Sequence, residues 1–178
     1  MRRYIYFVFL FCCAVNLLLT SCVRQKYVVM DMVHHNPGEA MTESKFLDPS
    51  FLKKNEYGAK VFFLFEAAQF GIDWKSCDPS LFPDTTEAGR WVAEKAEIIH
   101  KKYDAAKKED LQVYCMLDML VLPSLLVEKH RTELTNEQGK LDISKPYTQL
   151  CIRELMKEMF ETFPQLDGLV IRTGETYL

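Results

Sequence analysis

A basic excess, paired-cysteine motifs, phosphate-binding glycine loops and internal repeats are all missing from this chain of 178 residues, and each absence removes a class of function. The formal net charge is −3 at pH 7. A nucleic-acid binder draws most of its affinity from Lys and Arg neutralising phosphates, so nucleic acid is excluded as a partner. The loop at 34–39 contains neither GxGxxG nor GxxxxGKS/T, which leaves no cradle for a nucleotide phosphate. No two cysteines have CxxC spacing, and there is no low-complexity tract and no linker of interdomain length. The apolar run at 4–19, about 16 residues, falls short of the ~20 needed to span a bilayer as a helix.

That run has another reading. Arg2 and Arg3 precede it, and Leu-Thr-Ser-Cys at 19–22 closes it, the layout of an export signal. The tetrapeptide resembles the lipobox of bacterial lipoproteins, which implies cleavage before Cys22 and lipidation of its thiol. The expected organisation is a signal peptide at 1–21, a lipidated tether at 22–26 and one domain at 27–178. Loss of the leader removes two basic residues and no acid, so membrane attachment is expected from the lipid and not from a basic surface. Cys22 is followed by Val-Arg-Gln-Lys with no run of acids, which favours the periplasmic face of the outer membrane over surface display. Only Cys77, Cys115 and Cys151 then remain as thiols, an odd number that argues against a disulfide framework. Cys115 on an apolar strand and Cys151 on a helix read as small buried hydrophobes.

From residue 27 onward, strand-like apolar runs alternate with helical patterns, as in βα units around a parallel sheet. Four strands are predicted, at 27–33, 60–66, 111–117 and 168–173. Asp48-Pro49 predicts a short helix before residue 57. Asp84-Thr-Thr-Glu87 has the form of a capping box before a long helix with Trp91, Val92, Ile98 and Ile99 as its buried stripe. Pro123 is expected to open a short helix carrying Leu125, Leu126 and Val127, followed by a polar connection at 131–144. Pro146, tolerated in a first turn, marks a second long helix that ends before Pro164 and packs through Ile152, Leu155, Met156, Met159, Phe160 and Phe163. Near-continuous apolar strands fit a doubly wound sheet or half of an eight-stranded barrel, and the missing phosphate loop favours the barrel. The fold expected is α/β, a partial (β/α)8 barrel of about four parallel strands with intervening helices. Because the chain stops soon after its fourth strand, the expectation is a truncated product whose missing C-terminal half would be its partner.

Three stretches carry a family resemblance: Met-Val-His-His-Asn-Pro-Gly-Glu at 32–39, the strand and loop at 113–123, and Phe-Pro-Gln-Leu-Asp-Gly-Leu-Val-Ile-Arg-Thr-Gly-Glu-Thr-Tyr at 163–177. Together they resemble the N-terminal half of exported glycoside-hydrolase-like barrel proteins of polysaccharide-degrading Gram-negative bacteria. The resemblance implies an (α/β) barrel, a carbohydrate cleft at the C-terminal ends of the strands, an oligo- or polysaccharide ligand, an acid carboxylate after the fourth strand and no cofactor. The chain departs from the pattern by ending there and by carrying Glu109-Asp110 where a helix-to-strand turn of such barrels commonly has glycine.

Glycoside hydrolysis needs one carboxyl group to protonate the leaving oxygen and a second to act as nucleophile or base. Glu175, after Gly174 at a strand end, is the candidate acid, and Asp118, ending the third strand, is the candidate second carboxylate or alternatively a helix cap. Arg172 is expected to bind a sugar hydroxyl or carboxylate bidentately, or to sit in a salt bridge inside the barrel. His34, His35, Glu39 and Tyr177 complete the expected substrate contacts. His34 and His35 also suggest metal ligands, but neighbours in extended chain point to opposite sides, and no metal is assigned. Glu66 and Trp74 are weaker candidates, Trp74 as a sugar platform or a packing plug. The rival class is a non-catalytic glycan-binding or structural envelope lipoprotein.

Overall fold

The structure, a computed structural model, describes residues 28–31, 45–63 and 66–172. In chain order its elements are β1 (Met30–Asp31), a 3₁₀ turn (Lys45–Leu47), α1 (Pro49–Lys54), β2 (Ala59–Phe62) and a second 3₁₀ turn (Ala68–Gly71). There follow α2 (Glu87–Lys108), β3 (Gln112–Asp118), α3 (Ser124–Lys129), α4 (Arg131–Leu134), α5 (Pro146–Thr162) and β4 (Gly168–Arg172). The strands form one parallel sheet in the order β1-β2-β3-β4, three full strands and a two-residue first one. The chain is thus a mixed α/β protein, and the described sheet is open, not a closed barrel.

Local signals account for where the helices begin. Asp48 Oδ1 accepts from Ser50 N at 2.9 Å, and Pro49 supplies a first helical residue whose missing N–H would have no partner. Pro146 does the same for α5. The capping box expected at Asp84 is not used. Thr86 caps α2 instead, its hydroxyl accepting from Gly89 N at 3.0 Å and donating to Pro83 O at 2.7 Å. The chain at 82–86 folds so tightly over the first turn that a Cβ on Gly89 would lie 2.1 Å from Pro83 O. This spends Asp84 in the turn and leaves Glu87 as the first helical residue, too early to reach back.

Packing then selects one face of each helix. On α2 the buried stripe is Gly89, Val92, Ile99, Tyr103 and Ala106, while Trp91 and Ile98, expected inside, are 46% and 40% exposed. At about 100° per residue a stripe centred on 92, 99, 103 and 106 turns their predecessors to its edge. On α5 Thr148, Cys151, Leu155, Glu158 and Met159 are buried, Ile152 and Met156 are half-buried, and Phe160 faces out at 41%. Leu126 is the buried residue of α3, with Leu125 exposed beside it. The connection expected to be irregular at 131–144 contains α4 and an antiparallel bridge between Thr135 and Leu141 around Gly139.

Side chains of one strand parity, Phe62, Val113, Cys115 and Leu117, enter a single core with Ile99, Tyr103, Leu155, Met159 and Phe163. Both long helices therefore cover the same face of the sheet. Tyr103 sits at its centre, 4.6 Å from the ring of Phe62 and 5.6 Å from that of Phe163, with its hydroxyl donating to Glu66 O at 3.0 Å. Each large apolar side chain taken fully out of water contributes roughly 1.5–3 kcal/mol. The opposite parity, which includes Val61, Tyr114, Met116, Val170, Asp118 and Arg172, makes up the other face. There Gly168 is required, since a Cβ would meet the Tyr114 ring at 2.8 Å.

Helices α1 and α2 end in the same way. Tyr57 N bonds to Leu52 O and Glu56 N to Lys53 O; Leu111 N bonds to Ala106 O and Asp110 N to Lys107 O. Both are Schellman endings with an acidic residue in the left-handed position, Glu56 at φ 63 and Asp110 at φ 55. The turn that commonly carries glycine keeps its geometry here without one. Left-handed backbone costs an L residue roughly 1–2 kcal/mol, less for Asp, and glycine returns about 0.4–1 kcal/mol by loosening the unfolded chain. Glu56→Gly should therefore stabilise the protein by about 1 kcal/mol, and Asp110→Gly by less, since it also removes the 3.0 Å contact to Lys53 Nζ. Thermal unfolding checks this as a rise of about 2–4 °C for Glu56→Gly; a fall would show that neither turn carries strain.

Candidate functional site

Parallel register places Asp118, the last residue of β3, directly beside Arg172, the last residue of β4. The two side chains meet fork to fork: Arg172 Nε donates to Asp118 Oδ1 and Nη2 to Oδ2, each at 2.6 Å. The guanidinium also lies 5.6 Å from the ring centre of Phe63, just beyond β2. The pair is partly exposed, at 31% for Arg172 and 22% for Asp118. It stands at the C-terminal edge of the sheet on the face opposite the two long helices. Of the two roles considered for each residue, the geometry matches the salt bridge for Arg172 and excludes the helix cap for Asp118, since α3 begins after Pro123 without a side-chain cap. Both oxygens of Asp118 act as acceptors and the guanidinium fork is turned to them, so the fork does not present itself bidentately to a ligand.

The other predicted residues distribute differently. Cys22, His34, His35, Glu39, Glu175 and Tyr177 lie outside the described residues. Glu66 belongs to the helix side, where it pairs with Lys102. Trp74 is 3% exposed and part of the core, a packing plug held at φ 57. Trp91 takes the exposed position instead. It borders an apolar groove of about 300 Å³ with Gln69, Phe82, Val121 and Leu125, and Lys95 Nζ lies 5.4 Å from the centre of its ring. Among the described residues no group of three or more His, Cys, Asp or Glu side chains is placed to hold a metal ion.

A second polar centre escaped the sequence reading. Asp78, in the loop after β2, is 8% exposed and accepts from Ser80 N at 2.9 Å and Ser80 Oγ at 2.7 Å. It also meets Lys129 Nζ at 2.6 Å and His130 Nε2 at 2.9 Å, both from the segment after β3. The other ring nitrogen of His130 meets Glu133 Oε2 at 2.9 Å, and the ring packs 4.8 Å from Tyr147 on α5. An imidazole between two carboxylates, with no hydroxyl on either nitrogen, has the wiring of a clamp and not of a nucleophile triad. It joins the two loops that leave the C-terminal ends of β2 and β3. Sequence offered no cue, since Asp78 and His130 are 52 positions apart.

No family model, curated protein or solved structure matches the chain. The class it belongs to is set by its own architecture: a mixed α/β protein with a sequentially ordered parallel sheet and a carboxylate–guanidinium pair at the C-terminal strand ends.

The clamp has a pH signature. The carboxylates of Asp78 and then Glu133 raise the His130 pKa above its ordinary value. The stability this confers is complete below about pH 6.5 and is lost as pH rises through the raised value. Lys129, His130 and Ser80 lower the Asp78 pKa, so its share is complete above about pH 4 and is lost as pH falls through the lowered value. Denaturant unfolding at pH 5 should separate wild type from His130→Gln by the largest margin, with the gap closing toward pH 9. A gap independent of pH would assign His130 a packing role only.

Proposed function

We propose that this is a lipid-anchored protein of the cell envelope whose sheet belongs to a glycoside-hydrolase-like (β/α)8 barrel and whose ligand is an oligo- or polysaccharide. One observation carries the reading: the Asp118–Arg172 pair at the C-terminal ends of adjacent strands, on the face away from both long helices. Sequential strand order with both long helices on one side is compatible with part of a barrel, a fold whose ligand site lies at the C-terminal strand ends. In this reading Asp118 and Arg172 line the cleft, Asp118 as an anchored acceptor for sugar hydroxyls, with Glu175 as general acid and His34, His35, Glu39 and Tyr177 as substrate contacts. Cys22 carries the lipid and holds the domain at the periplasmic face of the outer membrane.

A second reading has its own support. Because Arg172 and Asp118 satisfy each other bidentately, the pair is better suited to holding a glycan than to moving a proton. A non-catalytic glycan-binding lipoprotein therefore stands beside the hydrolase.

Two measurements test the proposal in the native host. Cys22→Ser should transfer the protein from the membrane to the soluble fraction; unchanged membrane retention would remove the lipid anchor. For the cleft, the full chain should be retained on immobilised polysaccharides, and the double variant Asp118→Asn/Arg172→Met should weaken retention at least tenfold. Loss of hydrolysis with retained binding in Glu175→Gln would select the enzyme, and binding without any hydrolysis would select the glycan-binding protein. Absence of retention by the wild-type chain across plant, bacterial and host polysaccharides would overturn both.

A further inference from the structure

The loop after β2 is laid along α5. Ser76 N donates to Glu158 Oε1 at 2.8 Å, and Tyr147 Oη donates to Cys77 O at 3.1 Å. Between these two anchors on the same face of α5 lies Cys151, one turn beyond Tyr147 and fully buried. Cys77 is half-buried and packs against the same core cluster that contains Cys151, so the two anchors lay its loop over the face of α5 that carries the second cysteine. The third thiol, Cys115, is elsewhere, buried in β3 with its sulfur accepting from Ala68 N at 3.2 Å.

We infer that Cys77 and Cys151 are a disulfide pair, reduced in the structure described, which closes into a covalent latch between the β2 loop and α5 when the folded protein meets a disulfide oxidant. The odd number of thiols is no obstacle, because the fold sets Cys115 apart and brings the other two together. The two thiols titrate as a pair: Cys77 and Tyr147 lower the pKa of Cys151, while Cys151 and burial raise that of Cys77. Burial pushes Cys115 up to about 11, leaving it inert.

The oxidant is a disulfide of the thiol-exchange class, such as a dithiol oxidase or oxidised glutathione. The half-exposed Cys77, giving up its proton, attacks one donor sulfur and expels the other as thiol. Cys151, giving up the remaining proton, then displaces the donor from Cys77. One S–S bond breaks in the donor and one forms in the protein; two electrons and two protons pass to the donor, which ends as two thiols. Export to the envelope would supply such an oxidant, but the pairing itself rests on the geometry alone.

The test uses the full chain in detergent micelles, first reduced and then equilibrated with oxidised glutathione, alkylated and mapped by peptide mass spectrometry. The expected product is a Cys77–Cys151 crosslink two hydrogens lighter than the dithiol, with Cys115 alkylated only after denaturation. The latch should raise the melting midpoint by on the order of 10 °C, since it closes a long loop in the unfolded chain. Cys115→Ala should leave the crosslink and the shift intact, and Cys77→Ser should abolish both. A folded chain that stops at a glutathione adduct on Cys77, forms no crosslink, or links Cys77 to Cys151 only after denaturation would overturn the pairing. Because this experiment needs neither glycan nor membrane, it stands or falls apart from the proposed function.

Discussion

Parallel pairing of β2, β3 and β4 obliges the chain to travel the length of the sheet between each strand and the next, and the two long helices are those return paths. β3 is the shared member of both pairings. Its helix-side residues Val113, Cys115 and Leu117 are the floor on which α2 and α5 both rest, so one strand sets the position of both layers. Right-handed crossovers in a sheet of sequential order send every helix to the same side. The result is a sheet with one apolar, covered face and one face that carries Tyr114, Asp118 and Arg172.

Charge is used differently in the two loop regions at the C-terminal strand ends. Asp78 is ringed by Lys129, His130 and Ser80, and the whole set ties the loop after β2 to the segment after β3. The Asp118–Arg172 pair spans only adjacent strand ends and remains partly in water. Asp167 supplies a third junction at the opposite end of the sheet: its carboxylate accepts from Val113 N at 2.6 Å and meets Lys107, while its own N–H donates to Val113 O at 2.8 Å. In this way β4 is docked at its entrance by a backbone-seeking carboxylate and at its exit by an ion pair. Strand pairing and the placement of the polar pair are therefore one structural event.

Local chemistry in the sequence determined a good part of the fold. The apolar segments around 60, 111 and 168 became strands, Asp48-Pro49 and Pro146 became helix starts, and the glycine-free turn at Glu109-Asp110 kept its left-handed geometry. These signals act within one or two turns of chain, which is why they are readable there. Register within a strand is equally local, and it allowed Arg172 to be placed at a strand end. Boundaries shifted where a tight contact intervened, as when the chain at Pro83 closing over Gly89 moved the α2 cap from Asp84 to Thr86.

Tertiary structure alone decided which side chains meet. Asp118 and Arg172 are 54 residues apart, and their bidentate contact depends on the length of α5 bringing β4 back in register with β3. Asp78 finds His130 only because the loop after β2 and the segment after β3 converge beside Tyr147 on α5. Which face of α2 is buried follows likewise from the position of Tyr103 over Phe62, and that turned Trp91 outward against the pattern of its own helix. Sequence determines what a turn or two of backbone will do, since those energies are local; pairing across more than fifty residues is decided by the packed sheet, because only there do the crossovers set the distances.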